Sequence, residues 1–169
     1  MDVESIRVAG ELRTVRQSVE RGPRSILVED LPSATIDDLR TKLLRATRPY
    51  DVVHFAGHAN ADELVFENER GEAEPVPRKA INELLVRAKT SCVVLNGCKA
   101  LQKMTGPIAP VTIGVSESVD DEEGLSFSRG FYDALSAGKS FDDAFAEGTM
   151  SVDLKGGSSD KFKLLVASD

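Results

Sequence analysis

Two short apolar runs, each stopping at a glycine followed by a reactive side chain, constrain this chain more than any other feature. Ser91-Cys92-Val93-Val94-Leu95-Asn96 is the strongest strand signal in the sequence, and it ends in Gly97-Cys98. Asp51-Val52-Val53-His54-Phe55-Ala56 is a run of buried-strand type that opens directly into Gly57-His58. Uninterrupted runs of this kind suit strands covered on both faces, which are the strands of parallel sheets.

The rest of the chain alternates helix with strand. Leu12, Val15 and Val19 predict an amphipathic helix ending near Gly22-Pro23. Ser25-Ile26-Leu27-Val28 reads as a short strand. Thr35 offers an N-cap to a helix bearing Ile36, Leu39, Leu43 and Leu44, with Asp37 and Asp38 in its first turn and Pro49 beyond it. Leu64-Val65-Phe66 returning through Pro75-Val76-Pro77 predicts a hairpin. Ile81, Leu84, Leu85 and Ala88 predict another helix, and Val111–Val115 a further strand. A helix over Asp120–Ala137 carries acids in its first turn and Gly138 past its end. Ser140 with Asp143 reads as a capping box, and Phe162–Val166 as a closing strand. The fold class that follows is α/β, a mainly parallel sheet with helices on both faces. In such sheets the working residues lie beyond the carboxyl ends of the strands. If the two opening strands are neighbours, an imidazole and a thiol share one edge.

Composition narrows the function. A chain of 169 residues with 41% hydrophobic side chains suits one domain, residues 1–169, with a sizeable core. It carries 21 basic and 28 acidic side chains, net −7, which disfavours direct binding to nucleic acid. The acid is uneven: Glu117, Asp120, Asp121, Glu122 and Glu123 follow one another with no intervening base. Two cysteines make no disulfide framework, so a reducing, cytoplasmic setting is expected. No signal peptide or membrane-spanning run is visible, so no membrane association is expected. No glycine-rich phosphate loop follows a strand, and no cofactor is expected.

A thiol near its ordinary pKa is mostly protonated at neutral pH, and a nearby imidazole can take that proton and later return it to a leaving amine. Cys98 and His58 are candidates for that pair. Gly57 and Gly97 permit close approach of a substrate backbone. His54, inside a strand, reads as a packed histidine, and Cys92 as a small buried hydrophobe. A zinc site from His54, His58, Cys92 and Cys98 matches no ligand spacing, so no metal is expected.

The ordered set His54-Phe55-Ala56-Gly57-His58, Leu64-Val65-Phe66-Glu67 and Val93-Val94-Leu95-Asn96-Gly97-Cys98 resembles the CHAT family of caspase-like cysteine peptidases. The resemblance continues through Ile113-Gly114-Val115, Val119-Asp120-Asp121 and the stretch from Phe127 to Leu135. It closes at Gly138–Phe145, covering about residues 10 to 155. It implies a caspase-like three-layer α/β sandwich and an endopeptidase acting on a protein substrate through Cys98 and His58. By analogy with related peptidases, the backbone N–H groups of Gly57 and Cys98 would hold the oxyanion. It also implies an effector role in bacterial signalling or defence, with a sensor, a repeat-containing module or a partner chain. The Val119-Asp120-Asp121 position is close to the pocket that reads the substrate side chain in this clan. Asp120 and Asp121 would there select Arg or Lys, and Ser116 is a further polar position able to contact substrate. The competing reading makes Asp120 an N-cap and leaves Asp121, Glu122 and Glu123 to favour the helix dipole.

This sequence departs from the family in three places. Ala59 follows His58 where the family usually has glycine, and an alanine needing positive φ would strain the loop. Lys99 and Ala100 follow Cys98. About ten residues precede Leu12, and Met1–Ile6 is polar, so the family's first core strand is expected to be missing. Either the domain is trimmed or something else, such as a partner chain, fills the sheet edge. A catalytically silent caspase-like interaction module is therefore the rival to the peptidase, and a flavodoxin-like ligand-binding domain the weaker third reading.

Overall fold

The computed structural model describes residues 3–60, 62–96 and 106–168. It is an α/β structure whose main sheet has the strand order β1-β4-β5-β6, with both recorded pairings, β1 with β4 and β4 with β5, parallel. The strands are β1 (Val52–Phe55), β4 (Cys92–Leu95), β5 (Val111–Val115) and β6 (Phe162–Val166). A separate antiparallel hairpin joins β2 (Glu63–Glu67) to β3 (Ala73–Pro77). The helices are α1 (Val3–Arg21), α2 (Ile36–Arg45), α3 (Arg78–Arg87), α4 (Asp121–Ser136) and α5 (Phe141–Leu154). Two compact units result: residues 1–28 with 118–164, and residues 29–117 with 165–169.

The second unit carries the strand ends of interest. Val93 and Leu95 of β4 face a core shared with Leu64, Phe66, Val76, Ile81 and Leu85, from the hairpin and α3. Ile36, Leu39 and Leu43 of α2 pack partly buried against the same cluster. Cys92 and Val94 point the other way and are equally buried, so both faces of β4 are covered. The prolines of the hairpin, Pro75 and Pro77, sit on β3, where a two-stranded sheet leaves one side of the strand free of ladder bonds.

Local sequence accounts for the helix ends. Thr35 and Asp38 close a full capping box on α2, as Asp120 and Glu123 do on α4. Ser140 caps α5 by accepting from the Asp143 N–H, without the reciprocal bond expected of a box. In the first unit α4 meets α5 through Gly130 and Gly148. A Cβ on Gly130 would come within 2.5 Å of the Glu147 carbonyl oxygen, and one on Gly148 within 2.7 Å of the Phe127 ring. Phe127 stacks on Phe162 at 4.4 Å between ring centres, and Phe131 and Phe145 complete the cluster. Gly130, Phe131 and Tyr132 are thus buried in helix packing, while Arg129 is exposed.

Two expectations need correction. Ser25–Val28 is not a strand: the segment is irregular, and Leu27 is 79% exposed. A short apolar stretch with two β-branched residues forms a strand only where a neighbour supplies ladder bonds. β1, expected to be fully buried, is only half-buried along its whole length, because it stands at the end of the sheet order and not inside it. The polar opening of the chain is helical: α1 begins at Val3, and among the described residues no strand precedes β1.

Candidate active site

β1 and β4 are adjacent and parallel, with Val52 opposite Cys92, Val53 opposite Val93, His54 opposite Val94 and Phe55 opposite Leu95. The Asn96 N–H donates to the Phe55 carbonyl at 3.2 Å, carrying the ladder one step past the strand ends. His58 follows Phe55 by three residues, and Cys98 follows Leu95 by the same number. Cys98 itself lies outside the described residues, as do Gly97, Lys99 and Ala100. β5 continues the edge, with Gly114 opposite Leu95, and Ser116 follows two residues later. Ser116 is half-buried.

The loop carrying His58 is held on every side. The His58 side chain is exposed while its carbonyl accepts from the Val65 N–H at 3.0 Å. Ala59 forms an isolated antiparallel bridge with Leu64 and packs partly buried on the core. Its φ is not positive: among the described residues only Ser33 and Lys89 are non-glycine residues in that region. The expected strain of alanine after the histidine is therefore absent. Asn60 closes a tight turn, its Oδ1 accepting from the N–H groups of Asp62 and Glu63 at 2.9 Å each. Gly57 also lacks positive φ, and a Cβ there would rest 3.4 Å from the Phe55 ring, an ordinary contact. Neither φ nor space explains a glycine at this position.

Arg78 and Asn60 are the residues whose part in this loop the sequence reading missed. Arg78 is buried at the start of α3, and its Nε donates to the Asn60 carbonyl at 2.8 Å while its backbone N–H donates to the Asp62 carbonyl. Burial pulls the guanidinium pKa down, against the opposing pull of the Asp62 carboxylate. In the sequence the signal was only a basic residue opening a helix after Pro77, which has no side chain able to cap it.

Cys92 is fully buried, and burial pushes its thiol up to about 12. A thiol so placed holds almost no thiolate at neutral pH and has no access to a substrate. His54, on the same strand as the site, is half-buried. Among the described residues no three His, Cys, Asp or Glu side chains come together to hold a metal ion. No described helix is long and apolar enough to cross a membrane.

Asp120 and Asp121 belong to the other compact unit. Asp120 is the N-cap of α4, its carboxylate accepting from the Glu123 N–H at 2.8 Å. Asp121 pairs with Arg7 at 3.2 Å and remains well exposed. Glu123 is the buried acid of the cluster: it accepts from Lys161 at 3.0 Å, from the Ser158 N–H at 2.9 Å and from the Asp120 N–H at 3.3 Å. The Ser158 N–H above all holds its carboxyl below the ordinary range.

Comparison with known families matches residues 4–107 to the family described as CHAT domain, more than half of the chain. No curated protein matches the sequence.

Proposed function

This chain belongs to the CHAT-domain family, and on that premise we propose that it is a cysteine endopeptidase with Cys98 as nucleophile and His58 as its base. Membership associates the chain with caspase-like, cysteine-peptidase-type proteins, and the α/β sheet with two covered faces suits the three-layer caspase-like sandwich. The observation that carries the reading is the register of β1 on β4. Two residues chemically suited to acyl transfer follow register partners by the same three-residue step, at the carboxyl edge of a parallel sheet.

The mechanism follows from the chemistry of the pair. His58 takes the Cys98 thiol proton, and the thiolate attacks the substrate peptide carbonyl carbon. The tetrahedral oxyanion is met by the backbone N–H groups of Gly57 and Cys98. Its collapse breaks the C–N bond, with the proton passing from His58 to the leaving amine, and leaves a thioester on Cys98. Water, deprotonated by His58, then attacks the thioester and releases the carboxylate and the free thiol. Ser116 is a further contact to substrate, and the family resemblance implies that Asp120 and Asp121 select Arg or Lys before the cut. The protein acts in the cytoplasm as an effector in bacterial signalling or defence, switched by a sensor, repeat-containing or partner chain.

A peptide chloromethyl ketone bearing Lys tests this. Mass spectrometry should find the adduct on Cys98 alone, with His58→Ala slowing its formation. Slow labelling independent of His58 would sink the peptidase. It would favour a second reading, a silent interaction module, for which the terminal place of β1 in the sheet order speaks.

A further inference from the structure

The carboxyl-terminal ends of α2 and α3, with the segment leading into β1, form a groove of about 980 Å³ at the amino-terminal side of β1, the opposite end of that strand from His58, and wholly within the second unit. Its lining includes two large apolar side chains that a monomer gains nothing by exposing: Leu44, 73% exposed, and Val86, 61% exposed. Four basic side chains, Arg40, Arg48, Arg87 and Lys89, are in the lining, Arg40 paired with Asp37 at 2.9 Å, and Glu83 is the one carboxylate there. Arg48, Arg87 and Lys89 are exposed, and none of these three forms an ion pair with another described residue. Helix dipoles explain why cations gather at helix ends, but they do not explain the exposed Leu44 and Val86.

We propose that this groove docks an acidic, leucine-bearing helical segment of a partner protein. Charge complementarity selects the occupant. A local excess of cations stands on a chain of net charge −7, so an acidic segment meets attraction only at this kind of patch and repulsion over most of the remaining surface. A second copy docked two-fold through this groove would set the same cations against one another, so like charge disfavours it. A phosphate polymer would use the cations and leave Leu44 and Val86 bare. An amphipathic helix presenting leucines one turn apart, flanked by glutamates, uses both.

The test is a titration of the whole chain with a designed helical peptide carrying Leu at i, i+3 and i+7 and Glu elsewhere, read by NMR shift changes. Expected are perturbations centred on Leu44, Val86 and Arg87, and weakening of about tenfold between low and high salt. Leu44→Ser with Val86→Ser should abolish binding. Arg87→Glu with Lys89→Glu should abolish it too and transfer preference to the Lys-for-Glu version of the peptide. Equal binding of the acidic and basic peptides, or no binding at millimolar concentration, overturns the proposal. So does tight binding of a leucine-free polyglutamate or of duplex DNA that the serine variants leave unchanged. Sedimentation showing a dimer broken by the serine variants would assign the groove to a second copy instead. Since Cys98 labelling is measured separately, failure here leaves the peptidase reading standing, and the reverse holds.

Discussion

Phe55 lies directly opposite Leu95 in a parallel ladder, and the Asn96 N–H closes the next rung onto the Phe55 carbonyl. That single register relation ties the exit of one strand to the exit of its neighbour. Along the chain, His58 follows Phe55 and Cys98 follows Leu95 by the same three residues.

The first prediction concerns the two thiols. Cys92, fully buried and pushed up to about 12, has a thiolate fraction at pH 7.5 on the order of 10⁻⁴ or less. An alkylating peptide should therefore modify Cys98 in the native protein and reach Cys92 only after denaturation. His58→Ala should slow the Cys98 reaction by about 10² or more. Peptide mapping after timed quenching measures both.

Gly57→Ala separates folding from catalysis. Its φ is not positive and the added Cβ meets only an ordinary contact with Phe55, so stability should change by less than about 1 kcal/mol. If the Gly57 N–H faces the oxyanion, crowding there should lower kcat/KM by about 10-fold or more. A fully active Gly57→Ala protein would show that no substrate group packs against the Gly57 Cα, since alanine keeps the same N–H donor.

Arg78→Ala should loosen the His58 loop. It removes a buried charged donor to the Asn60 carbonyl, a loss of about 2–3 kcal/mol in stability. Hydrogen exchange at the Asp62 and Glu63 amides, now held by Asn60, should speed up more than exchange in β4. Uniform acceleration across both segments would show that Arg78 supports the whole unit and not the loop.

Asp120→Asn offers a clean test of substrate charge, because asparagine caps a helix about as well as aspartate. The α4 cap should survive, and Asp121→Asn should cost at most about 1 kcal/mol, since Asp121 itself is well exposed although Arg7 is half-buried. Cleavage after Arg or Lys should weaken in the double variant if these acids line the pocket. An unchanged preference in a peptide library would leave them with only their helix-capping and surface roles.

The Glu123 carboxyl is held below its ordinary range by the Ser158 N–H, Lys161 and the Asp120 N–H. A folded-state pKa lower than the unfolded one contributes stability above the unfolded value, about 4.3, and loses it as pH falls through the folded value. Glu123→Gln should therefore cost stability most near neutrality, about 2–3 kcal/mol for a buried charged hydrogen-bond centre, and the gap from the parent should narrow below about pH 4. Denaturant midpoints measured from pH 3 to 7 would show it, and a gap constant with pH would refute it.

What the sequence by itself determined is local. The i, i+3, i+7 spacing announced α1, and Thr35, Asp120 and Ser140 announced the starts of α2, α4 and α5. The doubly apolar run at Cys92–Leu95 announced a covered central strand. Each rests on contacts within a few residues, so a short window contains its cause. The motif spelling from His54 to Cys98 was legible for the same reason, and it named the family that the match over residues 4–107 bears out. Only the tertiary structure decided that β1 stands at the end of the sheet order, and that Ser25–Val28 joins no strand. Tertiary packing also relieved Ala59 of the strain its sequence context suggested and brought Arg78 against the Asn60 carbonyl, eighteen residues away. Strand pairing and loop clamping depend on which segments meet in space, and that information is spread over the whole chain and concentrated in no single stretch of it.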